Sequence, residues 1–468
     1  VPAGQDHRND VAGGDGHLAS GAPYDLVVTG ATILTGAPSG QVIHDAVLAV
    51  KDGRFVRIEP ATVGAAPLLS AKTLHLAGRV ITPGLVNVHT HANLSMVRGV
   101  AEDLGFAPAY TPGIPQGHMV GPDEAYAIAR LGALEALLFG STLINDTFVH
   151  ADVVTPAMAE IGLRVWSCAR IHDVDFSGVS VGRWEHVDAI GERTLQDALD
   201  LAERYEGKSG GRIGVQLAAH APDTCSTPFL KRIARAAEEK GLRVTTHLSQ
   251  SKVELARIRE RDGLSPPELL DAVGLLNDRL TAAHCIHVTE DDIARIGRAG
   301  IHVAHIAKGN ATGATIAPTH RLRAAGAKLA LGTDNMHADM VEVMRWALAV
   351  GRIQLGSVTD DWQPETVFEM ATMAGARAIG LEDEIGSIEI GKRADFVAFD
   401  FRRPHLTPMT NALGNLVHVA QGRDVELVAV DGAIVVEDGR PTQVDADEIR
   451  REAGVAIEAL WRRAGEPR

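Results

Sequence analysis

The chain has 468 residues, 45% hydrophobic and 22% charged, with 48 glycines and 21 prolines; this is the make-up of a packed globular protein and excludes a disordered or collagen-like one. Forty-five basic against 60 acidic side chains leave a formal charge of −15, so a binder of nucleic acid or of an acidic membrane would work against its own field. Three cysteines, Cys168, Cys225 and Cys285, are too few to staple this length and point to a reducing, cytoplasmic setting.

Residues 1–23 are rich in Gly and Asp, lack the apolar run and basic start of a signal peptide, and read as a flexible tail. No later stretch approaches the roughly 18 consecutive apolar residues of a membrane span. Residues 24–80 carry short β-like runs separated by turns such as Asp52-Gly53, and the same texture returns over 385–440. The two segments are expected to build one small composite β-sandwich domain from both chain ends, beginning with an antiparallel sheet. Residues 441–468 read as a helical tail.

Residues 81–384 alternate apolar strand-like runs with Ala-, Leu- and Glu-rich segments of helical spacing. Eight such runs, at 85–89, 142–146, 163–168, 213–220, 242–247, 280–284, 301–305 and 328–334, predict an α/β fold, a (β/α)8 TIM-like barrel. Seven of the eight end on His or Asp: His89, Asp146, His220, His247, His284, His305 and Asp334. Strand C-termini form the active rim of such barrels, and a ring of these residues there predicts a metal or proton-transfer site. His89 and His91, two apart at one strand end, with His247 and Asp334, can supply three nitrogens and one carboxylate to a single divalent ion. Zinc is the first expectation, with iron, cobalt or manganese as alternatives.

Ile81-Thr-Pro-Gly-Leu-Val-Asn-Val-His-Thr-His91, His220-Ala-Pro222, His247, Ala283-His-Cys285, Leu331-Gly-Thr-Asp334 and Gly386-Ser-Ile-Glu-Ile-Gly-Lys-Arg-Ala-Asp395 together resemble the amidohydrolase superfamily. The nearest branch is that of chlorohydrolases and deaminases, which includes triazine hydrolases. The resemblance implies that His89, His91, His247 and Asp334 bind one metal, that His284 orients water or an oxyanion, and that His220 faces substrate. Binuclear relatives need a carbamylated lysine on or about the fourth strand, and this chain has no lysine between Lys72 and Lys208.

Two departures stand out. Deaminases of this branch carry a glutamate three residues after the fifth-strand histidine, where this chain has Gln250, which hydrogen-bonds but cannot exchange a proton near neutral pH. That favours a substrate whose carbonyl the metal already polarises: a small, fairly apolar amide, urea or (thio)carbamate, near the phenylurea and thiocarbamate hydrolases. The alternative is an aminohydrolase of an N-heterocycle such as a triazine, pyrimidine or purine. For the amide, urea or carbamate, Asp334 is expected to take the proton of the metal-bound water and deliver it to the leaving amine, with His284 donating to the oxyanion. Glu254, one turn beyond Gln250 if a helix begins there, is a candidate substitute acid, with a solvated helix face the favoured reading. After the seventh strand, Ala307-Lys-Gly-Asn310 keeps only the asparagine of the segment usual in the family, so Lys308 and Asn310 join His220, His150 and His172 as candidate substrate contacts. Asn335, His337 and Asp339 are candidates for supporting the metal site. The loop 102–118, with Phe106, Pro108 and Tyr110, is expected to cover the pocket with an apolar surface. A small-molecule substrate and a homo-oligomeric state complete the expectations.

Overall fold

Short strands rich in Val, Ile, Leu and Ala need cover on both faces, and a closed ring of parallel strands jacketed by helices provides it. The computed structural model describes residues 23–104, 108–205, 209–334 and 336–465. The expected tail through residue 22, and Phe106, Lys208 and Asn335, lie outside the described residues.

The barrel runs in order through Leu85–Thr90, Ser141–Phe148, Arg164–Ile171, Ile213–Val215 with Leu217–Ala219, Val244–Leu248, Leu280–His284, His302–His305 and Lys328–Leu331. Gln216 interrupts the fourth strand. The ring closes where Thr90 meets Asp334 in a parallel bridge: the Asp334 N–H donates to His89 O at 2.9 Å and the His91 N–H to Asp334 O at 3.0 Å. Gly332 makes this closure possible, because a Cβ there would stand 2.9 Å from His89 O. The eight expected runs are all strands, with some ends displaced. The second strand continues to Phe148, so Asp146 sits inside it, buried, and accepts the Ala92 N–H at 2.7 Å instead of facing the rim.

Both chain ends join in one nine-stranded sheet, with Phe396–Asp400 pairing against Arg79–Pro83. It is mixed: Tyr24–Leu34 pairs in parallel with Ser70–His75 and with Arg79–Pro83, because the chain returns beside its first strand after the hairpin pair. The sheet has its own apolar core, including Leu26, Val28, Leu48, Phe55, Phe396 and Leu427. A buried ion cluster ties it to the barrel: Arg164 of the third barrel strand reaches Asp395 at 3.0 Å and Asp431 at 2.7 Å. The last helix, Ala446–Ala464, docks on Pro122–Leu138, and Trp461 Nε1 donates to Met96 O at 2.9 Å. Among the described residues no helix is long and apolar enough to cross a membrane.

Candidate active site and metal centre

Four strands deliver the ring of polar side chains to one point. His89 is the last residue but one of the first strand and His91 follows it, His247 lies in the fifth, His284 ends the sixth, and Asp334 follows the eighth. His284 and Asp334 adopt left-handed backbone, with φ of 75° and 63°. Such conformations cost about 1–3 kcal/mol each in non-glycine residues and persist where the surroundings over-determine them.

Asp334 Oδ1 lies 3.4 Å from His91 Nε2 and 3.6 Å from His89 Nε2, and His91 Nε2 is 3.2 Å from His247 Nε2. Donor atoms of His89, His247, His284 and Asp334 all fall within 4.8 Å of one another. The far sides of the rings are anchored. His91 Nδ1 donates to Thr147 O at 2.5 Å and His247 Nδ1 to His220 O at 2.6 Å, which fixes the tautomer that turns each Nε2 inward. His284 Nδ1 donates to Asn310 Oδ1 at 3.0 Å, and its Nε2 stands 3.9 Å from Asp334 Oδ2.

Electrostatics agree with this arrangement. Burial lowers His89 to about 4 and holds His247 well below its ordinary value, so both rings are neutral, the form that ligates a metal. Burial works to raise the Asp334 carboxyl, but the neighbouring His89 and His91 outweigh it and keep it well below the usual carboxylate range. Both ring nitrogens of His89 are buried without a hydrogen-bond partner among the described residues, an arrangement that costs free energy unless an electrophile binds there. Three or four imidazoles with one carboxylate therefore fit a single divalent cation.

The cluster floors a cavity of about 320 Å³ walled by Leu94, Tyr110, Phe148, Arg170, Ile286 and Met336. Of the residues singled out from the sequence, His91, His220, His247, Gln250, His284, Asn310 and Asp334 all line it. The His220 ring packs edge-on against Phe176 at 5.0 Å, and its Nδ1 is 2.8 Å from Thr224 Oγ1. Gln250 is buried and its Nε2, like Asn310 Nδ2, has no partner among the described residues, so two amide donors are left for a ligand. The loop after the first strand covers the cavity as expected, through Ala101, Glu102, Pro108, Ala109 and Tyr110.

Other candidates go elsewhere. Lys308 pairs with Glu342 at 2.7 Å and does not line the cavity, because the short helix Ala307–Thr312 points it away. His150 and His172 face a neighbouring cavity of about 710 Å³; His150 Nε2 bonds Val120 O at 2.8 Å and His172 Nδ1 bonds Val174 O at 3.0 Å. Asp339 caps the helix Met340–Leu355. Glu254 is fully buried instead of solvated: it accepts the N–H groups of Ser249 and Gln250, each at 2.8 Å, where helix Lys252–Asp262 folds back on the strand end.

Arg170 was not singled out. It lines both cavities, its guanidinium lies 4.3 Å over the Phe176 ring, and it has no ion pair among the described residues. Burial lowers it to about 10, which leaves it charged at neutral pH. Its place one residue before a strand end was the available signal, hidden because the third strand runs past Cys168.

The description "Amidohydrolase family" matches residues 80–435. A 5-methylthioadenosine/S-adenosylhomocysteine deaminase of Desulforudis audaxviator (strain MP104C) is 37% identical over 87% of this chain and 93% of its own length. A 5'-deoxyadenosine deaminase of Methanosarcina acetivorans is 30% identical over 94% and 99%. Among solved structures, an adenosine deaminase from Xanthomonas campestris with bound zinc superposes with a TM-score of 0.83 at 27% identity, covering 94% of this chain and 99% of that one. The chain belongs to the amidohydrolase family, within its chlorohydrolase and deaminase branch, and is a metal-dependent hydrolase of carbon–nitrogen bonds other than peptide bonds.

Proposed function

We propose that the chain is an aminohydrolase that releases ammonia from a purine nucleoside. The observation that carries this reading is the buried His–Asp cluster at the floor of a cavity whose walls combine apolar side chains with two unpartnered amide donors and the Arg170 cation. A neutral heterocycle with ring acceptors and a polar tail matches those walls, whereas a small apolar urea or carbamate would leave Arg170 and the amides unpaired. The relatives at 37% and 30% identity, both named as deaminases of adenosine derivatives, support the same choice over urea or carbamate cleavage.

A divalent ion held by His89, His91, His247 and Asp334, with zinc suited to this donor set, would acidify water and polarise the carbon under attack. Asp334 accepts the proton of the attacking water. His284, fixed by Asn310, faces Asp334 and the reacting carbon. Gln250 Nε2 donates a hydrogen bond to a ring nitrogen, and His220 and Phe148 close the cavity beside the ring. Arg170 binds an acceptor or anionic group on the substrate's tail.

The test is ammonia release from adenosine, 5'-deoxyadenosine, methylthioadenosine and S-adenosylhomocysteine, set against amine release from aryl ureas and carbamates. Turnover confined to the ureas and carbamates overturns the reading. Arg170→Met should lower kcat/KM about 10- to 100-fold on whichever nucleoside carries the group it binds, the loss expected for a hydrogen bond to a charged side chain.

A further inference from the structure

Cleaving an exocyclic C–N bond puts an electron pair on the departing nitrogen, which must be protonated to leave as ammonia. Gln250 cannot supply that proton. Tyr110 lines the same cavity, and its hydroxyl lies 3.3 and 3.2 Å from Asp223 Oδ1 and Oδ2. Asp223 is 1% exposed and its electrostatic neighbour Glu254 is 0% exposed. A cavity-lining phenol is thus hydrogen-bonded to one buried carboxyl, which feels the charge of a second.

Two buried carboxyls in mutual repulsion do not both ionise readily. Burial lifts Asp223 to about 6 and, with Asp223 beside it, lifts Glu254 well above its ordinary value. Arg261 and Arg257 pull Asp223 the other way without overcoming burial, and Arg261 spends hydrogen bonds on the carbonyls of Pro222 and Cys225, each at 3.0 Å. The Tyr110 phenol is raised by burial and by the same carboxyls, so it stays protonated.

We propose that Tyr110 is the proton donor to the leaving nitrogen and that Asp223, hydrogen-bonded to the phenol and near the buried Glu254, resupplies it. As the C–N bond breaks and its electron pair goes to nitrogen, the Tyr110 O–H proton moves to that nitrogen and the Asp223 proton moves to the phenol oxygen. Water has meanwhile formed the C–O bond and given one proton to Asp334. Asp334 releases that proton to solvent and Asp223 takes one back, so the cycle balances. Tyr110 is the catalytic residue; Asp223 and Glu254 act through it.

The inference rests on C–N cleavage as the reaction, and the test separates the two. Wild type, Tyr110→Phe, Asp223→Asn and Glu254→Gln are compared on adenosine and on 6-chloropurine riboside, whose chloride leaves as an anion and needs no proton. Tyr110→Phe should lower kcat on the amine by about 100-fold or more, the usual worth of a general acid, and Asp223→Asn and Glu254→Gln should each lower it by at least about tenfold, with a clearly smaller loss of chloride release in all three. Equal losses on both substrates, or undiminished ammonia release by Tyr110→Phe, overturn the assignment. Should the wild type act only on aryl ureas, the purine reading fails, and the proton donor is tested on ureas with better and poorer aniline leaving groups: Tyr110→Phe should steepen the dependence on aniline basicity, and an unchanged slope overturns it. An independent readout is the infrared difference between wild type and Asp223→Asn/Glu254→Gln at neutral pH, which should contain a protonated-carboxyl band; its absence also overturns the proposal.

Discussion

Asn310 Oδ1 accepts the Nδ1–H of His284 at 3.0 Å and so decides which nitrogen of that ring faces Asp334. Asn310 is the fourth residue of the helix Ala307–Thr312 that follows the seventh strand, and His284 occupies a left-handed backbone position at the end of the sixth. Without the amide, the ring keeps its strained backbone but loses its fixed tautomer.

Asn310→Ala should therefore lower kcat about 10- to 100-fold, the loss typical when the partner orienting an active-site histidine is removed. Asn310→Asp, which keeps the acceptor, should recover most of that. Steady-state kinetics on both variants check this; a fall in the alanine variant seen only in KM would contradict it.

Removing the metal should both inactivate and destabilise the protein. The unpartnered nitrogens of His89 and the tight packing of four donor-bearing residues make an empty centre costly. Dialysis against a chelator should lower Tm, and zinc should restore Tm and activity together, because a ligand bound only by the folded state stabilises it by mass action. His89→Ala should retain well under one ion per chain by elemental analysis.

The Arg164–Asp395–Asp431 cluster predicts a large effect far from the chemistry. Arg164 is 1% exposed, and Arg164→Met would leave Asp395 buried without its bidentate partner. Breaking a buried pair in this way costs about 3–5 kcal/mol. Denaturant unfolding should show a loss of that order, and Arg164→Met/Asp395→Leu should recover a substantial part of it.

Acid should weaken the fold through His302. Burial first, then the charges of Lys328 and Arg243, lowers this ring from 6.5 to about 4. Between those values the unfolded chain binds the extra proton, so the stability held above pH 6.5 is lost progressively as pH falls towards 4. At about 1.4 kcal/mol per unit the full effect is roughly 3 kcal/mol. His302→Gln should flatten that part of the stability curve in urea titrations at pH 4, 5, 6 and 7; a curve parallel to wild type would contradict the prediction.

Much of the site was legible in the sequence because a parallel strand places its last residue at the barrel rim wherever the helices lie. An apolar run that stops on His247 or His284 therefore announces a rim position without any knowledge of loop geometry. The same logic misled where a strand outran its apolar run: Asp146 looked terminal and is internal, while Arg170 was passed over although it lines the cavity. Glu254 failed for another reason. A glutamate one turn into a helix is usually solvated, and only the reversal at Ser249–Ser251 folds it back onto the backbone of Gln250.

The amino-acid sequence by itself determined the barrel, the composite sheet and a rim rich in histidine, because hydrophobic periodicity and residue chemistry are local properties carried along the chain. Only the tertiary structure decided that Lys308 leaves the pocket, that Arg170 enters it, that Tyr110 bonds Asp223, and that Glu254 turns back onto the backbone of Gln250. Those are matters of direction and burial. They depend on how loops and helix starts pack over the rim, and the charge state of a carboxyl follows from the neighbours that packing gives it.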